Sequence, residues 1–203
     1  HYGHMIMGLG LIFFGMQLMS DGTKPLRIYE PFLDMMQHMG NPLFGILVAA
    51  AFTAIVQSSS ATMGVVIALA CQGLITLEAG IALAFGANVG TCVTALLAAI
   101  GKPREAVRAA MLHILFKGVG VAIWFPFITH LSELVVWMSP TDPSLLGVER
   151  LAAETPRQIA NAHTVFNVAN AALFIWFTTP LAWLMHKLVP NRVEADLDAA
   201  RPK

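Results

Sequence analysis

An all-α integral membrane protein is the fold class this sequence predicts, and three observations predict it. Hydrophobic residues make up 57% of the 203 residues and charged ones only 12%, about half the charged share of soluble domains. The apolar residues fall in blocks that read as helices at membrane depth. Two of those blocks are interrupted by small polar residues. Gln57-Ser58-Ser59-Ser60-Ala61-Thr62 separates 43–56 from 63–71, and Gly86-Ala87-Asn88-Val89-Gly90-Thr91 lies inside 77–100. Backbone that leaves a helix inside lipid survives only where it is buried in protein or lines a cavity. Short, interrupted apolar segments are pointers to membrane binding sites. The expectation is a re-entrant helical hairpin at about 42–72 and a discontinuous transmembrane helix at about 77–100.

The chain opens with an apolar, glycine-rich helix over 5–19, with Gly8, Leu11 and Gly15 on one face open to a close neighbour. No cleavable signal peptide is evident at this start. Ser20-Asp21-Gly22 is read as its end. Residues 24–41, punctuated by Pro25, Pro31 and Gly40, read as one or two short interfacial helices. Asn41 then caps a helix with Pro42 in its first turn. That helix reaches residue 56 after roughly 21 Å at 1.5 Å per residue, short of a hydrocarbon core about 30 Å thick. The second arm is also too short to cross alone. A single helix over 43–71 with a serine patch is the alternative. Four consecutive polar residues cannot share one helical face, which favours the hairpin.

At 86–94 the spacing fits two readings. Two glycines four apart around an Asn suit an unwound joint, and they equally suit a packing face on an unbroken helix. The neighbouring hairpin tips the expectation to the broken helix. A basic loop follows at 101–105, then a span over 109–128 that contains Lys117. A lysine inside a span is functional by default, with snorkelling or a structural role as the alternatives; the structural role is favoured. Residues 131–138 form a short amphipathic piece and 139–157 a polar loop with three prolines. The last crossing, 158–187, places His163, Asn167 and Asn170 on one face, where amides and an imidazole are expected to tie helices together. Cys71 and Cys92 lie in apolar stretches and read as packed free thiols.

Four crossings and one hairpin put the start, the 101–108 loop and the tail on one side. That side carries Lys102, Arg104, Arg108, Lys187, Arg192, Arg201 and Lys203, against Lys24, Arg27, Arg150 and Arg157 on the other. The bias predicts a cytoplasmic start and end in a plasma (inner) membrane. With 12 basic and 12 acidic residues, nothing points to a nucleic-acid partner.

The polar centre is uncharged. Gln, Ser, Thr and Asn oxygens and freed carbonyls suit a sodium ion, and the start of the second hairpin arm, at Ser59 and Ser60, suits an anion. An intramembrane hydrolase using Ser58–Ser60 with His113 or His163 lacks a carboxylate to orient either imidazole and has no G-x-S-x-G context. No enzyme is therefore expected. A non-transporting scaffold would leave the clustered polar tip unexplained.

QSSSAT at 57–62, GANVGTCVTA at 86–95 and NAHTVFN at 161–167, in this order, resemble the sodium/phosphate cotransporter family. The resemblance covers about residues 8–190. It implies sodium-coupled import of inorganic phosphate by alternating access, with Na⁺ as coupling ion and no organic cofactor. Import of another anion (sulfate, arsenate or a carboxylate) is the alternative. It implies phosphate at Gln57, Ser58, Ser59, Ser60 and Asn88, and sodium at Gln57, Ser58, Thr62, Asn88, Thr91 and Thr94. His163 and Asn167 match a family motif read as packing. Family members carry two inverted repeats, each with its own QSSS hairpin. This chain has one, so 1–190 is read as one inverted-repeat unit, resembling the second repeat of a bacterial member. A second repeat or a second copy is expected to complete the site. Residues 191–203 are read as a cytoplasmic tail and the beginning of a PhoU-like regulatory domain.

Overall fold

The computed structural model describes residues 2–38 and 40–190. The expected cytoplasmic tail and the start of a PhoU-like domain lie outside the described residues. Helix is the only regular structure among the described residues, with α1 Tyr2–Thr23, α2 Glu30–His38, α3 Pro42–Val56, α4 Ser59–Cys71, α5 Leu77–Ala99, α6 Arg104–Trp124, α7 Ile128–Met138, α8 Gly147–Phe174 and α9 Thr178–Leu188. Short 3₁₀ turns at Lys24–Ile28, Phe125–Phe127 and Ile175–Phe177 join α1 to α2, α6 to α7 and α8 to α9. Among the described residues four stretches are long and apolar enough to cross a membrane: Tyr2–Leu26, Leu77–Ala99, Arg104–Met138 and Gly147–Leu188. The two arms α3 and α4 are shorter, as expected for a hairpin.

The hairpin forms for local reasons. Asn41 accepts a hydrogen bond from the Leu43 N–H at 3.0 Å and opens α3, with Pro42 at its first position. The helix stops at Gln57, whose backbone is left-handed at φ 57°. Ser58 is extended and caps α4 by accepting from the Ala61 N–H at 3.2 Å. The turn brings Thr53 and Thr62 together: their hydroxyls lie 2.8 Å apart, nine residues apart in sequence. On a continuous helix nine residues would separate them by roughly 13 Å. The single-helix alternative is thereby removed.

The second interruption behaves differently. α5 is one continuous helix from Leu77 to Ala99, and the expected discontinuity at 77–100 is corrected. Its glycines are the floor on which α3 lies. A Cβ on Gly86 would meet the Ile46 carbonyl oxygen, and one on Gly90 would meet the Ala50 carbonyl oxygen and Thr53. Close backbone approach, not unwinding, is what the Gly-x-x-x-Gly spacing serves. α5 is the axis of the molecule. Ile81, Ala82 and Ala87 on it are fully buried, and Phe85 stacks at 4.6 Å against Phe166 of α8.

Other boundaries also move. α1 runs to Thr23, past the stop read at Ser20. Its glycine face meets nothing, since a Cβ on Gly8, Gly10 or Gly15 would touch no atom within 4 Å. Its end docks, where Met19 lies over Gly64 and Gln72 Nε2 donates to Ser20 Oγ at 2.8 Å. The polar loop read over 139–157 is largely helix, because α8 begins at Gly147 and carries Pro156 inside it. A proline there forfeits one backbone hydrogen bond. Burial offsets that cost: Thr155 and Ile159 on either side are 1% and 0% exposed, and Ile159 fills the space over Gly80.

A further regularity lies in the last two helix pairs. His113-x-x-Phe116-Lys117 on α6 matches His163-x-x-Phe166-Asn167 on α8, with Lys117 and Asn167 fifty residues apart. The contacts are reciprocal. Phe116 meets Phe174 edge-on at 5.0 Å, and its counterpart Phe166 meets Trp124, the counterpart of Phe174, edge-on at 6.2 Å. Phe127 and Phe177, which immediately precede α7 and α9, have φ/ψ of −103°/13° and −107°/14°. Each pair's short helix packs on the other pair's long one, α9 on α6 and α7 on α8. Arg108 Nε donates to the Val189 carbonyl at 2.9 Å, sealing the α6–α9 contact. On the other side Asn161 Nδ2 donates to Ser139 Oγ at 2.8 Å.

Candidate functional site

All but one of the site residues read from the sequence fall into two groups, one at the hairpin tip and one on the face of α5 turned away from α3. The first is the hairpin tip. Gln57 and Ser60 are exposed, and Ser58 and Ser59 are half-buried. Ser58 Oγ and Ser60 Oγ lie 3.1 Å apart. A left-handed glutamine costs roughly 1–3 kcal/mol, and such strain collects at functional positions. It ends α3 one residue before the α4 cap, so the start of α4 and its serines lie at the turn. Helix N-termini favour anions through free N–H groups and the helix dipole.

Thr62 sits one turn below the tip and is buried. Its hydroxyl donates to the Ser58 carbonyl at 3.1 Å, so the Thr53 hydroxyl is the donor in their 2.8 Å contact. These two bonds lock the arms and hold Ser58 in its capping position.

The second group lies between α5, α6 and α8. Two residues along a helix turn the side chain by about 200°, so Asn88 points away from the face that Gly86 and Gly90 give to α3. Asn88 is buried, with Nδ2 donating to the Ala84 carbonyl at 3.0 Å. Its Oδ1 accepts from Lys117 Nζ at 2.6 Å, and the same ammonium donates to Asn167 Oδ1 at 3.0 Å. Thr91 donates to the Asn88 carbonyl at 2.6 Å and lies 3.4 Å from His113 Nε2. Thr94 is exposed, one turn beyond Gly90. The structure thus brings Gln57, Ser58, Ser59, Ser60 and Thr62 together, joins Asn88 and Thr91 to Lys117 and His113, and leaves Thr94 apart.

Lys117 is the residue that the reading of the polar motifs left outside the site. Its signal was present, a lone cation in an apolar span, but its amide partners come from two other helices. Asn167 is as expected an interhelical tie, although what it ties is a charge. Asn170 is 1% exposed and packs against Gly120, with its Oδ1 unpaired. Among the described residues no cluster of His, Cys, Asp or Glu could hold a metal ion. Both cysteines are free thiols, Cys92 buried and Cys71 exposed.

A profile described as Na+/Pi-cotransporter matches residues 29–138, a stretch holding the hairpin, α5, α6 and α7. The chain belongs to the Na+/Pi-cotransporter family. Within that family it is 32% identical over 191 residues to the uncharacterized protein YqeW of Bacillus subtilis, covering 94% of this chain and 58% of YqeW. It is 39% identical over 87 residues to sodium-dependent phosphate transport protein 2A of Oryctolagus cuniculus, covering 41% of this chain and 14% of that protein. Human sodium-dependent phosphate transport protein 2B is 27% identical over 146 residues, 66% of this chain and 21% of the transporter. The chain therefore spans less than two thirds of each of these relatives. No solved structure matches it significantly. Family membership and the four long apolar stretches make this Na+/Pi-cotransporter family member a multi-pass membrane protein.

Proposed function

We propose that the chain is a membrane unit of a sodium-coupled transporter that imports inorganic phosphate by alternating access. The observation that carries this reading is the break at Gln57-Ser58, where a strained backbone opens a helix N-terminus lined by neutral donors. The names of the mammalian relatives support the choice of ion and substrate. Phosphate is held by Ser58, Ser59 and Ser60 with the first amides of α4, and Na⁺ by side-chain and carbonyl oxygens of Gln57, Ser58 and Thr62. Asn88, Thr91 and Thr94 belong to the wider site. Neutral donors suit an anion that arrives with its own cations, because bound Na⁺ balances its charge.

In this reading α3 and α4 form a re-entrant hairpin, and the exposed Gln57 and Ser60 are one half of the site. An inverted second repeat, in the same polypeptide or supplied by another copy, completes it. The unit lies in the plasma membrane with a cytoplasmic start and end, a PhoU-like domain follows the tail, and the protein performs no covalent chemistry. Uptake of labelled phosphate into proteoliposomes holding the intact protein tests the proposal. Uptake should require an inward sodium gradient, and Gln57→Ala and Ser59→Ala should each reduce it while leaving helix content unchanged. Uptake indifferent to sodium would overturn it. Stronger competition by sulfate or a dicarboxylate than by unlabelled phosphate would reassign the substrate.

A further inference from the structure

Two amides, Asn88 buried and Asn167 half-buried, are aimed at one point. Asn88 Nδ2 is occupied by the Ala84 carbonyl at 3.0 Å and Asn167 Nδ2 by the His163 carbonyl at 2.8 Å. With their N–H₂ groups pinned to their own helices, both amide oxygens face the gap between α5, α6 and α8. Lys117 Nζ fills that gap, 2.6 and 3.0 Å from the two oxygens and 5.7 Å from the Phe116 ring centroid. Among the described residues Lys117 has no carboxylate partner; the ion pairs are Lys24–Asp21, Arg108–Glu105 and Arg150–Glu154. A positive charge inside a span is thus solvated by neutral oxygens and an aromatic face. Such a charge is costly and is retained for a reason.

The internal match between α6 and α8 shows what the charge replaces. The counterpart of Lys117, fifty residues on, is Asn167 itself. One pair member carries an amide there and the other an ammonium. Asn170, one turn beyond Asn167, packs on Gly120 and keeps a buried amide oxygen with no partner. Oriented neutral oxygens that converge on a gap between helices make a site for a monovalent cation, and an ammonium on a flexible stem is one such cation.

We propose that Lys117 is a tethered substitute for a free monovalent cation, occupying an oxygen site built by Asn88 and Asn167. The intact site therefore has no room for a mobile ion, and the chain carries one fixed positive charge where a coupling ion would otherwise bind. This consequence for coupling rests on the transport reading; the occupancy itself does not.

The test is ion rescue of a truncated side chain. Lys117→Ala in the purified chain in detergent removes the ammonium and leaves the oxygens. Thermal unfolding is followed in methylammonium, sodium, potassium and choline chlorides at equal ionic strength. Lys117→Ala should melt below wild type in choline. It should recover by at least about 2–4 °C, saturably, in methylammonium or sodium. Any response of wild type to the same salts should be smaller. Adding Asn167→Ala to Lys117→Ala should abolish the recovery. Lys117→Asn, which installs the counterpart's amide, should show the same selective response to sodium. Equal melting of Lys117→Ala in choline and in the small cations would overturn the proposal. So would failure of both variants to fold even in methylammonium or sodium, since refilling the site should restore them. Because the readout is ion binding, a protein that transports nothing leaves this result unaffected, and a negative result leaves the transport reading standing.

Discussion

The hairpin turn at Gln57-Ser58 and the glycine stretch at Gly86–Gly90 look alike as sequence, small and polar residues set in apolar runs, yet the chain breaks at one and passes straight through the other. The difference lies in what each supplies locally. At the turn a serine is placed to cap a new helix, and two threonines nine residues apart tie the arms together. At the glycines nothing caps a new start, and another helix's backbone lies close on the surface that the missing side chains open. Small residues at membrane depth permit either outcome; a cap on one side or a neighbour on the other decides it.

The largest way to break that comparison is to fill the packing face. Gly86→Val drives a branched side chain into the Ile46 carbonyl and should cost about 3 kcal/mol by thermal or denaturant unfolding. The same change at Gly8, which faces open space, should stay within about 0.5 kcal/mol. Thr62→Val strips the lock between the arms and leaves the buried Thr53 hydroxyl without its acceptor, a loss of about 2 kcal/mol. Ser58→Ala removes the α4 cap and should cost about 1 kcal/mol. Gln57→Gly relaxes the left-handed turn and should stabilise the fold by up to about 1 kcal/mol. In the intact protein it should still lower phosphate uptake, separating the shape of the tip from its chemistry.

The smallest effect lies in the loop before α8. Ser144 donates twice to Asp142 Oδ1, from its hydroxyl at 2.6 Å and its N–H at 2.9 Å, and these bonds hold the carboxyl below its ordinary value of 3.8. A depressed folded value means that the loop's extra order is complete above pH 3.8 and is lost as pH falls through the lower one. Protection of the Ser144 N–H from hydrogen exchange, measured against its intrinsic rate at each pH, should fall across that interval, and Asp142→Asn should flatten the profile.

Much of the fold was legible because some signals admit few explanations. Four consecutive polar residues cannot share a helical face, so the turn at 57–60 was readable, and Asn41-Pro42 marked the start of α3 correctly. The glycine motif was not decidable, because Gly-x-x-x-Gly serves an unwound joint and a packing face equally. Pro156 misled in the same way: proline marks a loop unless burial on either side holds the helix, and burial of Thr155 and Ile159 is a tertiary fact. The tip residues of the candidate site were readable as a group. The partner of Asn88 was not, because Lys117 lies 29 residues from Asn88 and its second amide, Asn167, a further 50 along. The match of α6 to α8 rests on a few residues such as His113, Phe116, His163 and Phe166, too few to stand out before reciprocal ring contacts exposed them.

The doubling back of 42–72 is the claim on which the tip, its strain and its open serines all depend. Spin labels on Leu43→Cys and the native Cys71, both exposed, in a Cys92→Ala background in lipid, measure it directly by pulsed dipolar spectroscopy. A hairpin with arms packed about 10 Å apart should give a distribution centred below about 20 Å. An unbroken helix would put the labels about 42 Å apart, and a distribution centred there would contradict the account.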